Sequence, residues 1–85
     1  MIQAEISIYP LATKTTSVSF YIAKAIESIK NIENLRYKIN SMGTILESDD
    51  IDIINKASKS MIETVHHFLS YFVISTNNKY NIEAN

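Results

Sequence analysis

The chain has no cysteine and no tryptophan, and its 85 residues include one glycine and one proline. Without cysteine there is no disulfide framework, no thiolate zinc site and no cysteine nucleophile. A single glycine cannot build a glycine-rich phosphate loop or the glycine-flanked turn that presents a serine nucleophile. Neither sign of charge dominates: 8 Lys and Arg stand against 9 Asp and Glu, a net charge of −1. No basic field is therefore available to recruit nucleic acid or an anionic membrane. No apolar run approaches the ~18 residues of a membrane span. The opening MIQAEISIYP also lacks a basic stretch ahead of an apolar one. These absences predict a soluble protein of the cytoplasm. Hydrophobic residues make up 46% and charged residues 20%, ordinary proportions for one small folded domain.

What is present is a clear change of period along the chain. Ile2, Ala4, Ile6 and Ile8 alternate with Gln3, Glu5, Ser7 and Tyr9, which predicts a strand with one face on a core. Pro10 closes it, and a loop rich in hydroxyls, Leu11 to Thr16, supplies helix caps. From Ser17 to Ile32 apolar residues recur at helical steps (Val18, Tyr21, Ile22, Ala25, Ile26, Ile29). Leu35 to Met42 alternates again, and Gly43 separates it from Thr44 to Glu47. A glycine between two extended runs predicts a tight hairpin or a close backbone approach. Asp49 is the expected cap of a second helix whose stripe runs Ile51, Ile54, Ala57, Met61, Val65, Phe68, with Lys59 and Glu63 as an exposed pair. Phe68 to about Ser75 reads as a last strand, apolar on both faces, and the end of the chain as polar.

The order strand, helix, strand, strand, helix, strand predicts an α+β, ferredoxin-like βαββαβ fold. In it a four-stranded antiparallel sheet carries both helices on one face and has its first and third strands in the centre. Residues 1–78 form this domain and 79–85 a polar tail. The other face is left to Glu5, Ser7 and Tyr9, to Arg36, Lys38, Asn40 and Met42, and to either Thr44 with Leu46 or Ile45 with Glu47. A last strand greasy on both sides would leave an exposed patch there, which predicts a homo-oligomer formed through the open face or the edges.

Catalytic groupings are scarce. His66 and His67 are adjacent, about 100° apart on a helix, and do not chelate one ion easily. Glu47, Asp49, Asp50 and Asp52 lack the glycine and alternating ligands of a calcium loop. The third strand has no aromatic residue for base stacking, and Lys14 is the one base in a loop where acylphosphatase-like enzymes need an arginine. No nucleophile–base pair can be assembled, so the chain is not read as an enzyme, and neither metal nor cofactor is expected.

The wording of the chain is more specific than its pattern. Ala4 to Leu11 (AEISIYPL), Thr13 to Ser19 (TKTTSVS), Tyr21 to Glu27 (YIAKAIE) and Met42 to Glu47 (MGTILE) together resemble a family of small thiamine-binding proteins. These are ferredoxin-like domains related to a bacillary protein that binds thiamine and hydroxymethylpyrimidine. The chain departs from the family pattern at Ala12 and Lys14, where glycines are usual, and at Asn77-Asn78-Lys79, where the family has an Asp-Asp-Arg-like end. The resemblance implies a homodimer or homotetramer assembled through the sheets, and thiamine or its hydroxymethylpyrimidine moiety as ligand. Such a ligand needs polar groups for the aminopyrimidine edge, negative charge for the thiazolium, and an apolar or aromatic wall. Ser7 and Thr44 offer hydroxyls, Glu47 or Glu5 a carboxylate, and Tyr9, Tyr37 or Met42 a ring face or soft contact. The competing reading is an oligomeric interaction or regulatory module with no small ligand, its Ser7 and tyrosines serving as packing at subunit contacts.

Overall fold

A computed structural model describes residues 1–10, 18–40, 43–68 and 72–80. The elements run β1 (Ile2–Pro10), α1 (Val18–Ile29), β2 (Arg36–Asn40), β3 (Gly43–Ser48), α2 (Ile51–Phe68) and β4 (Phe72–Tyr80). The strands form one four-stranded sheet in the order β2-β3-β1-β4, with every neighbouring pair antiparallel. This is the α+β, ferredoxin-like βαββαβ arrangement that the alternation of periods predicts, with the first and third strands at its centre.

The period-two pattern of β1 carries through to packing. Ala4, Ile6 and Ile8 are buried, and Thr44, Leu46 and Ser48 on β3 are buried on the same side. Onto that side the helices set Tyr21, Ala25 and Ile29 from α1 and Ile54, Ala57, Met61 and Val65 from α2, all in one core cluster. Their three- and four-residue spacing is the sequence signal of an inward helical stripe. Complete burial of a side chain such as Ile54 or Met61 contributes about 1.5–3 kcal/mol relative to exposure. The small side chains Ala25 and Ala57 are fully buried, and such positions let elements approach closely.

Four local expectations need correction. First, α1 stops at Ile29 and not Ile32; the amide of Ile32 donates to the Ile29 carbonyl at 3.1 Å, and Asn34 follows with φ of 62°. Asparagine tolerates that left-handed conformation because its short polar side chain can bond locally. Second, the cap of α2 is Asp50 and not Asp49: Asp50 Oδ1 accepts from the Asp52 amide at 2.9 Å, while Ser48 Oγ accepts from the Asp50 amide at 3.2 Å. Asp49 instead lies 3.7 Å from the Met1 ammonium. Third, Phe68 is the last residue of α2, its ring edge-on to Phe20 at 5.5 Å. Fourth, β4 begins at Phe72 and runs to Tyr80. The aromatic and β-branched content of residues 68–75 hides a helix end, since Phe68 continues the stripe of Met61 and Val65 at helical spacing. The exposed Lys59–Glu63 pair stands as expected, at 3.8 Å.

Candidate functional site

The face of the sheet opposite the helices is built from register. In an antiparallel pair, residues directly opposite each other point to the same side. The pairings therefore lay the open face out in rows across the strands. One row joins Arg36, Glu47 and Gln3; the next joins Lys38, Ile45 and Glu5; a third joins Asn40 and Gly43 and, one strand on, Ser7 with Ser75. On β4 the backbone of Lys79, Asn77 and Val73 pairs opposite Gln3, Glu5 and Tyr9. The third row is made of small and neutral residues and lies between the Glu5 row and Tyr9.

This layout divides the candidate residues. Glu5, Ser7, Tyr9 and Glu47 lie on the open face. Thr44 does not: it pairs with Ile6, is 1% exposed, and belongs to the helix-covered side together with Leu46. Tyr37 pairs with Leu46 and so also faces the helix side, where it stays 39% exposed. Of the alternatives for β3, the open face thus takes Ile45 and Glu47. Met42 lies outside the described residues. Thr44 and Tyr37 thus stand on the face opposite Glu5, Ser7 and Tyr9, because successive side chains of a strand point to alternate faces.

The expectation of a last strand apolar on both faces also changes. Phe68 is helical, Leu69 and Tyr71 lie outside the described residues, and Ser75 on β4 is an exposed polar residue opposite Ser7.

The groups on the open face differ in how they are held. Glu47 is tethered: its Oε1 accepts from Gln3 Nε2 at 3.0 Å, and its Oε2 lies 3.8 Å from Arg36 Nη2. Its charge is already balanced. Glu5, half-buried on a central strand, makes no side-chain hydrogen bond or ion pair among the described residues. It is the carboxylate on this face available to a cation or to an amine donor. Ser7 is 7% exposed, and its Oγ lies 2.5 Å from where a side-chain carbon at Gly43 would stand. It already interacts within the fold, and a hydroxyl has both donor and acceptor capacity. Tyr9, 49% exposed, supplies the aromatic surface.

Residue-by-residue reading misses three contributors that register brings in: Ser75 beside Ser7, and the Gln3 and Arg36 side chains that occupy Glu47. A separate open cleft of about 430 Å³ at the end of the sheet is lined by Met1, Arg36, Glu47, Asp49 and Ile53 among others. Of the candidate residues it takes in only Glu47. Among the described residues no helix is long and apolar enough to cross a membrane.

Comparison with known proteins agrees with this architecture. A UPF0045 protein of Methanothermobacter thermautotrophicus is 46% identical over 65 residues, covering 76% of this chain and 65% of the relative. A second UPF0045 protein, from Methanocaldococcus jannaschii, is 50% identical over 62 residues, covering 73% of this chain and 59% of the relative. The chain thus spans about two thirds or less of the curated relatives that it matches. A crystal structure of the Methanocaldococcus jannaschii protein superposes with a TM-score of 0.83 at 39% identity, over 99% of this chain and 84% of that one. A Thermotoga maritima structure named for thiamine biosynthesis and salvage has the same fold, with a TM-score of 0.77 at 20% identity over 94% of this chain and 83% of that one. The model of the family described as thiamine-binding protein matches residues 4–77, a span that holds β3, both helices and all of β1 except Ile2 and Gln3, and the chain belongs to that family.

Proposed function

We propose that this chain is a non-enzymatic binding protein for thiamine or its hydroxymethylpyrimidine moiety, held on the open sheet face in a cleft closed by a second copy. The observation that carries the reading is the trio Glu5, Ser7 and Tyr9 at alternate positions of the central strand β1, on the face without helices. An unpartnered carboxylate there suits the exocyclic amine or the thiazolium charge, since a charge-assisted hydrogen bond is about twice as strong as a neutral one. The row of small residues gives a flat ring room to lie against the sheet, with Tyr9 as its wall. Family membership and the thiamine-named structural neighbour support the same ligand class. Closure by a second copy follows from shape: an open sheet face is shallow, and ligand sites bury most of their ligand's surface.

Titration calorimetry with thiamine and with hydroxymethylpyrimidine is the direct test. Wild-type protein should release heat on binding, and Glu5→Gln should weaken thiamine about tenfold or more through loss of a charged partner. Absence of heat at millimolar ligand, with the folded oligomer verified, would remove the proposal.

A further inference from the structure

The row that contains Glu5 holds a second charged residue. Lys38 on the edge strand β2 pairs with Ile45 on β3, which pairs with Glu5 on β1. Two strand spacings place the two Cα positions about 10 Å apart across the sheet. Lys38 is exposed and, like Glu5, makes no hydrogen bond or ion pair through its side chain among the described residues. Arg36, the other described cation of β2, is already committed to Glu47. The open face therefore carries an unspent anion and an unspent cation in one row, with the apolar Ile45 between them. An extended ligand lying across the strands would meet both.

From this arrangement we infer that the preferred ligand carries a phosphate at the end remote from its aminopyrimidine: the phosphate monoester of thiamine, with Glu5 at the amine end and Lys38 at the phosphate. The inference rests on the thiamine reading above and deepens it. A lysine suits the task because its ammonium is a point charge on a flexible stem that follows a phosphate without demanding one geometry. Ile45 between the charges offers an apolar side chain on which the face of the thiazolium ring can rest. Glu47 cannot play the part of Glu5, because Gln3 and Arg36 already balance it.

The experiment is a calorimetric comparison of thiamine, thiamine monophosphate and inorganic phosphate on wild-type protein and on Lys38→Met and Lys38→Arg. Wild type should bind thiamine monophosphate about tenfold more tightly than thiamine, and inorganic phosphate only weakly. Lys38→Met should erase the preference while leaving thiamine affinity unchanged, and Lys38→Arg should keep it. Because Lys38 is exposed, both variants should retain the wild-type melting temperature. Equal affinity for the two thiamine forms overturns the phosphate inference while leaving thiamine binding intact. So does a preference that survives Lys38→Met. Failure of both thiamine forms to bind overturns this inference and the parent reading together.

Discussion

Gly43 stands at the start of β3 with φ of 155°, and a side-chain carbon there would sit 2.5 Å from Ser7 Oγ and 3.0 Å from the Ile6 carbonyl oxygen. One neighbour is backbone, which cannot swing aside as a long side chain would. Gly43→Ala should therefore destabilise the fold by about 1–3 kcal/mol through overpacking and an unfavourable φ. Urea denaturation is the check, and part of the loss should return when Ser7→Gly removes the hydroxyl in the same chain. A variant as stable as wild type would show that the close approach relaxes freely. The special role of Gly43 was legible in the sequence, since a lone glycine between two short extended runs marks a tight turn or a crowded backbone. The identity of what crowds it was not, because Ser7 and Ile6 reach it only through the pairing of β1 with β3. Glu5 and Glu47 illustrate the same limit. As letters they are equivalent carboxylates, and only register shows that Gln3 and Arg36 tether one while the other has no such partner among the described residues.

At the scale of elements, α2 shows how a helix start is chosen among neighbours of similar chemistry. Ser48, Asp49 and Asp50 could each cap a helix, yet Ser48 is held inward by β3 and Asp49 points to the Met1 ammonium. Asp50 is left to accept from the Asp52 amide. Asp50→Ala should cost about 0.5–2 kcal/mol, the usual loss for a cap. Asp49→Ala should cost less than half as much, because its side chain is 89% exposed and its ion pair is a surface one. Thermal or chemical unfolding of the two variants side by side tests the ranking, and reversed losses would refute this assignment of the cap. Periodicity marked all six elements in order, because apolar stripes and alternation follow directly from which side meets the core. It failed at their ends. Phe68 satisfies the helical stripe and also the aromatic bias of a strand, and only its edge-on packing with Phe20 decides for the helix.

Across the whole molecule, the helices cover one side of the sheet, and no described element covers the other. The apolar excess expected there from the last strand is smaller than residues 68–75 imply, as Phe68 belongs to α2 and Ser75 faces Ser7. Tyr9 and Ile45 remain as apolar components beside Glu5 and Lys38. Self-association through this face should then be moderate and sensitive to charge. Sedimentation equilibrium should show dimers or larger assemblies that Tyr9→Asp shifts toward single subunits. A wild-type chain that remains a single subunit at high concentration would remove the second copy from the proposed cleft.

The outer edge of β2 has a consequence for solution behaviour. Arg36, Tyr37, Lys38 and Ile39 are all exposed along a strand whose far side meets no other described strand. An uncapped row of backbone donors and acceptors invites further strands, and repetition of one segment in register is how fibrils grow. Here each added copy would stack guanidinium on guanidinium and ammonium on ammonium, in steps of about 4.8 Å. Arg36 and Lys38 thereby act as gatekeepers, making runaway stacking self-limiting while leaving the edge open to a differently charged strand.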